Sequence, residues 1–261
     1  GFTVNADLKN IILYSPNGDA KITAQNNGDN WYAIGGLVGL AANTVGSTGT
    51  IQNCAVAGYN IYDKNRYCAF GGGGVGGVVG ICNMELRKCT AVTNINIDFG
   101  HSNSGRNVRV GGVAGSCQKN ITQCYAGGEI NISDNVKYKE SKVHIGGIVG
   151  GYFMKTLKIN NSNIIQSDLS KQSTIQTCYS YVTLPNENKL NYNSNMFVIG
   201  GRGEITNSQG NFLCNYINCF FLDQSLSRVT NLNRILDYNK NKSCSYEELS
   251  VGGTVFNNLI N

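Results

Sequence analysis

The chain has 261 residues, with 33 Gly, 2 Pro, about 37 Asn, only 14% charged residues and a formal net charge of +5. So few charges, against roughly a quarter in ordinary globular chains, leave long amphipathic helices and coiled coils without a solvated face. Gly without a three-residue period, beside almost no Pro, excludes collagen. Hydrophobic residues at 41% are ample for a core, so disorder is excluded as well. No apolar stretch reaches the ~18 residues of a membrane helix, and no run of Lys or Arg is long enough to support an electrostatic nucleic-acid site.

In chain order, Gly1-Phe2-Thr3-Val4 has neither the basic start nor the hydrophobic block of a signal peptide. It reads as the start of a mature or excised segment. Residues 1–33 read as the tail of a repeat, with Leu8-Lys9-Asn10-Ile11 where later copies carry a Cys block. The repeat proper opens with Ile34-Gly35-Gly36-Leu37-Val38-Gly39. It returns as Val75-Gly76-Gly77-Val78-Val79-Gly80, Val110-Gly111-Gly112-Val113-Ala114-Gly115 and Ile145-Gly146-Gly147-Ile148-Val149-Gly150, with a degraded copy at Ile199-Gly200-Gly201. Each copy is followed by a block ending in Cys: Ile51-Gln52-Asn53-Cys54, Leu86-Arg87-Lys88-Cys89, Ile121-Thr122-Gln123-Cys124, Ile175-Gln176-Thr177-Cys178 and Tyr216-Ile217-Asn218-Cys219.

Five ordered copies of two coupled blocks define a repeat architecture. The Gly-Gly blocks read as strands apolar on both faces, and a further short strand such as Ile95-Asn96-Ile97 follows each Cys. Each copy is then a coil of two or three short strands that cannot bury its own apolar faces, and stacking of coils makes the core. The expected fold is an all-β, parallel β-solenoid of about five to six coils over residues 1–224, right-handed by the chirality of parallel connections. Residues 225–261 lack repeat character and read as an irregular C-terminal cap, with short helical turns at 233–238 and 245–250. The pairs Gly35-Gly36, Gly76-Gly77, Gly111-Gly112 and Gly146-Gly147 suit a repeated tight corner, through positive φ or close backbone approach.

The Gly-Gly-Leu-Val-Gly block followed by Ile-x-Asn-Cys resembles the GLUG motif, which recurs in tandem in bacterial surface proteins and adhesins. The motif also occurs in non-catalytic regions of IgA-specific zinc metalloproteases. Residues 34–58 match it best, 75–94 and 110–128 closely, 145–182 with an insertion, and 198–222 loosely. The resemblance implies a secreted or surface β-solenoid and carries over no catalytic residue.

Ten Cys are present. Those at 54, 89, 124, 178 and 219 share a repeat position and, in register, form an inward ladder. Two readings of the pairs Cys82-x6-Cys89 and Cys117-x6-Cys124 stay open: a disulfide within each coil, as an oxidising location permits, or buried, reduced thiols. No Cys-x2-Cys occurs, and His101 and His144 stand isolated, so no zinc site is expected. Gly72-x-Gly74-x-x-Gly77 matches a dinucleotide-binding pattern but runs into a strand instead of a helix. His-Glu-x-x-His is absent. For a carbohydrate-active β-helix enzyme, acids would have to converge from adjacent coils; Asp98 aligns with Ser133, and Glu85 and Glu129 fall in different elements.

Function is therefore expected in loops on a rigid frame. The candidates are residues 59–70, with Tyr59, Tyr62, Arg66 and Tyr67; residues 152–173, with Phe153; and residues 185–195, with Tyr192. The expected function is a non-enzymatic extracellular or cell-surface module, a stalk or adhesive domain without cofactor, contacting glycan or a host or cell-surface protein. No nucleic acid and no membrane insertion are expected. The alternatives are a subunit polymerising end to end into a filament, and the β-helix enzyme. Sequons at Asn120, Asn131, Asn160 and Asn241 bear on glycosylation only in a eukaryotic source.

Overall fold

A computed structural model of the chain describes residues 1–25, 31–44, 46–65, 68–99, 106–133, 141–151, 157–159, 162–165, 173–191, 194–200, 214–229 and 242–244. The strands follow one another as turns of a coil. The first turn holds β1 (Phe2–Val4), β2 (Leu8–Lys9), β3 (Ile12–Tyr14) and β4 (Ala20–Ala24). The second holds β5 (Tyr32–Gly35), β6 (Val38–Ala42), β7 (Thr50–Gln52) and β8 (Ala55–Asp63). The third holds β9 (Cys68–Gly76), β10 (Val79–Cys82), β11 (Glu85–Arg87) and β12 (Thr90–Ile97), and the fourth β13 (Arg106–Gly111), β14 (Ala114–Cys117), β15 (Ile121–Thr122) and β16 (Tyr125–Ile132). In the fifth, β17 (Lys142–Gly146) and β18 (Val149–Gly151) are separated by the hairpin β19 (Leu157–Ile159) and β20 (Ser162–Ile165) from β21 (Ser173–Gln176) and β22 (Tyr179–Ser180). The chain ends with β23 (Asn195–Phe197), β24 (Cys214–Ile217), β25 (Phe220–Leu222) and β26 (Lys242–Cys244).

These strands stack into four sheets. The first runs β5-β9-β13-β17-β23, the second β1-β6-β10-β14-β18 and the third β2-β7-β11-β15-β21-β24. The fourth runs β3-β8-β12-β16-β22-β25-β26, with β4 also paired to β8. Among the described residues every ladder is parallel except the β19–β20 hairpin. The molecule is the parallel β-solenoid of five to six coils that the repeat implies.

Two details differ from the expectation. A complete coil has four strands, because the Gly-Gly block is two strands in two sheets. The chain bends at Gly36-Leu37, Gly77-Val78, Gly112-Val113 and Gly147-Ile148. The bends are themselves bonded from coil to coil: Gly77 N–H donates to Gly112 O at 3.0 Å and Val78 N–H to Val113 O at 2.9 Å. In addition, β26 pairs in parallel with β25, so the segment read as a cap adds a strand to the fourth sheet. The turns expected at 233–238 and 245–250 lie outside the described residues.

The main core is a column of apolar side chains along the solenoid, with smaller clusters around Leu40 and Ile81 and around Tyr179, Phe220 and Leu222. Ile34, Val75, Val110 and Ile145 enter it from the first sheet, Ile51, Leu86, Ile121 and Ile175 from the third, and Ile61, Ile95 and Ile130 from the fourth. Each fully buried Ile, Leu or Val contributes about 1.5–3 kcal/mol. A residue's neighbour in the core is its counterpart one repeat away, and this is how a short repeat with few charges specifies a fold.

Candidate functional site

The motif glycines are a packing device. None of Gly35, Gly36, Gly76, Gly77, Gly111, Gly112, Gly146 and Gly147 has positive φ, which removes one of the two readings of the corner. They serve close approach. A Cβ on Gly77 would lie 2.5 Å from Ala91 Cβ and 2.8 Å from Thr93 Oγ1, and one on Gly112 2.6 Å from Ala126 Cβ. The third motif glycine has the same use. A Cβ on Gly80 would lie 2.5 Å from Ile34 N and 2.7 Å from Gly39 O, so the first and second sheets meet backbone to backbone.

The left-handed corner lies elsewhere, just before each ladder Cys. Asn53 (φ 53°), Lys88 (52°), Gln123 (54°), Thr177 (50°) and Asn218 (50°) all take positive φ, as does Asn10 (59°) in the first turn. There the chain swings from the third sheet into the fourth. Asn53 Nδ2 donates to Asn10 Oδ1 at 2.8 Å, tying two corners together.

Cys54, Cys89, Cys124, Cys178 and Cys219 are all buried, forming the expected inward ladder. They are free thiols, as are Cys82 and Cys117. The within-coil pairs Cys82–Cys89 and Cys117–Cys124 carry no disulfide in this structure. Parallel register sets Cys82 opposite Cys117 and brings Cys89 N–H to Cys124 Sγ at 3.4 Å. Each thiol donates to main-chain oxygens: Cys82 to Met84 O at 3.3 Å, and Cys89 to Ile51 O and Arg87 O at 3.4 Å. Burial pushes the Cys82 thiol up from its ordinary value. The hydrogen bond with Cys124 and then burial push Cys89 up, and burial and then Cys124 push Cys178 up. Cys82, Cys89 and Cys178 are thus held neutral. At Cys124 burial acts the same way, but the hydrogen bonds from Cys178 and Cys89 outweigh it and hold that thiol below its ordinary value.

The candidate loop residues fare differently. Tyr59 and Tyr62 lie inside β8, not in a loop. Gly58 (φ 76°) forms a bulge there that shifts the register, so Tyr59 pairs with buried Thr93 and packs partly buried against the core. Tyr62 stands on the outer face, opposite Asn96. Arg66, Tyr67, Phe153 and Tyr192 lie outside the described residues, as does His101.

Several polar groups gave no signal in the sequence. Asp63 is fully buried in a column with Ala24, Ile97 and Ile132, and accepts from Tyr32 Oη at 2.5 Å, Asn65 N at 3.0 Å and Asn65 Nδ2 at 2.7 Å. Buried Arg109 and His144 stand opposite each other in the first sheet, and Asn195 Nδ2 lies 3.2 Å from His144 Nδ1. Asp98 and Ser133 meet as their alignment implies, Ser133 Oγ lying 3.3 Å from Asp98 Oδ1. Among the described residues no three His, Cys, Asp or Glu converge as metal ligands.

The outer face of the fourth sheet is the most ordered polar surface. Asn94 Nδ2 donates to Asn60 Oδ1 at 3.1 Å, and Asn131 Nδ2 to Asn96 Oδ1 at 3.4 Å. Arg228 closes this row, reaching Glu129 and Asn131 at 2.7 Å each. Asn131 and then burial, with Arg228 next, act on the Glu129 carboxyl, and the net effect holds it below its usual value. Further along, Tyr125 stacks on Tyr179 with centroids 5.5 Å apart and meets Tyr181 at 5.2 Å. Gly127 is needed here because the Tyr181 ring lies over it.

No protein-family model matches the chain, and no curated protein matches its sequence. The likeness to the GLUG repeat rests on the residues quoted for it.

Proposed function

We propose that this chain is a rigid, non-enzymatic repeat module of an extracellular or cell-surface protein, presenting a flat side for contact with glycan or protein. The observation that carries the reading is the continuous in-register core through every coil, with polar and aromatic side chains in rows on the outside of the fourth sheet. Such a frame holds side chains at fixed spacing without needing a cofactor, and the GLUG resemblance supports a surface setting. Beads coated with the chain are expected to adhere to surfaces bearing polysaccharide or host protein under flow. Adhesion no stronger than that of albumin-coated beads would contradict the reading.

A second reading is end-to-end polymerisation, in which the end strands of one copy's sheets pair with those of the next. Light scattering on concentrated protein tests it: a growing mass supports filament formation, and a constant monomer mass rejects it.

A further inference from the structure

The outer face of the fourth sheet has the relief of a binding groove. Outward positions of adjacent strands fall in two columns. One is Ile12, Ala55, Thr90 and Tyr125; the other is Tyr14, Ala57, Val92 and Gly127. The first turn raises one wall, with Ile12 74% and Tyr14 64% exposed. The fourth and fifth turns raise the other, with Tyr125 and with Tyr181 lying over Gly127. Between them Ala55, Ala57, Thr90 and Val92 make a low floor, half-buried and reached by solvent. The walls are three strand steps apart, ~14 Å.

Further along the same strands the floor changes from small side chains to amides. Asn94 spends one N–H on Asn60, and Asn96 spends its carbonyl oxygen on Asn131. An amide has two N–H donors and two acceptor sites, so Asn94 Oδ1 and Asn96 Nδ2 remain for a ligand. The ladder fixes their orientation in advance, which lowers the ordering cost of binding. The floor residues carry no charge; at the ends of the amide row stand the exposed Lys21, opposite Asn60, and the Glu129 carboxylate, matched by Arg228 at 2.7 Å.

A ligand matching this lining has flat apolar faces for tyrosine, hydroxyls for amides, an extended shape and no charge. We infer that the groove binds an extended neutral polysaccharide, its sugar faces against Tyr14 and Tyr181 and its hydroxyls on Asn94 and Asn96. This rests on the surface-module reading and moves the contact from the loops to a sheet face. Sugar rings stack on tyrosine through C–H faces as other apolar groups do. A polyanion would find a single cation, Lys21, at the end of the amide row and none on the floor.

The test is native electrophoresis of the whole chain through gels containing mixed-linkage β-glucan, galactomannan, xyloglucan or xylan, with polygalacturonate and heparin as charged polymers. Retardation by at least one neutral polymer, unchanged by added salt, is expected. Tyr14→Ala should weaken it about tenfold, and Val92→Arg, which fills the floor, should abolish it. Both positions face solvent, and unchanged unfolding midpoints would show the fold intact. Neutral-polymer binding that persists in both variants would overturn the groove and leave the module reading standing. Salt-sensitive retardation by the charged polymers alone would overturn the neutral-glycan assignment. No retardation by any polymer would overturn both the groove and the glycan arm of the module reading.

Discussion

Tyr32 donates a hydrogen bond across the interior of the solenoid to the fully buried carboxylate of Asp63, at 2.5 Å. Tyr32 leaves the first sheet and Asp63 the fourth, so the bond ties two walls of one coil. Gly73 makes room for it by standing under the Tyr32 ring, where the next coils carry Val108 and Val143. Tyr32→Phe should cost about 1–3 kcal/mol, as expected for an acceptor left short of a partner in the interior. Urea unfolding reads this directly, and an unmoved midpoint would mean the bond adds nothing.

The third glycine of the motif is predicted to be as intolerant as the pair. In Gly80→Ala the new Cβ would meet main-chain atoms on two sides, Ile34 N at 2.5 Å and Gly39 O at 2.7 Å, and backbone in paired strands has no room to give. A loss on the order of 3 kcal/mol or more is expected. Circular dichroism and unfolding curves of this variant check it; wild-type stability would refute the backbone-to-backbone packing of the two sheets.

Thr177 is β-branched and takes φ 50°, the costliest residue class for a left-handed corner. The equivalent corners at Asn53 and Asn218 use the side chain that tolerates this region best. Thr177→Asn should therefore stabilise the chain by roughly 0.5–1 kcal/mol, a gain visible as a higher Tm. A lower Tm would show that the threonine makes a compensating contact.

Three buried thiols make stability fall on the alkaline side, whereas Cys124, whose folded-state value is lowered, gains stability as pH rises toward the unfolded thiol value. For Cys82, Cys89 and Cys178 the folded-state value is raised, so the fold keeps protons that the unfolded chain releases. Their contribution is complete below the unfolded thiol value near ~8.5. Above it, stability declines by about 1.4 kcal/mol per pH unit for each thiol held protonated. Unfolding midpoints measured from neutral to alkaline pH should show this decline, shallower in Cys82→Ala. Without denaturant, iodoacetamide should leave Cys82, Cys89 and Cys178 unmodified; rapid alkylation of the native protein would contradict their burial.

The architecture was legible because a stacked coil repeats its constraints. Ile51, Leu86, Ile121 and Ile175 recur in sequence for the same reason that they touch in space, and the Cys column followed from the same count. Three features were hidden. The split of Val75–Gly80 into two strands is silent, since apolar residues continue through the bend at Gly77-Val78. Tyr59 was read as a loop residue because the bulge at Gly58, which turns it inward, has no composition signal. Asp63 occupies a column otherwise filled by Ala24, Ile97 and Ile132, and only Tyr32, thirty-one residues away, explains it. The outer groove combines Tyr14 with Tyr181, which no local window contains.

The stacking itself is open to one direct measurement. Gln52, Arg87, Thr122, Gln176 and Ile217 stand in a single column on the third sheet. Positions 52 and 217 are thus four strand steps apart, ~19 Å between their backbones, although 165 residues separate them in the chain. Nitroxides attached to ketone-bearing side chains at these two positions would leave the cysteines untouched. Pulsed electron paramagnetic resonance should then give one narrow distance peak at that separation, extended only by the label arms. A broad distribution, or a peak beyond about twice that spacing, would contradict the solenoid.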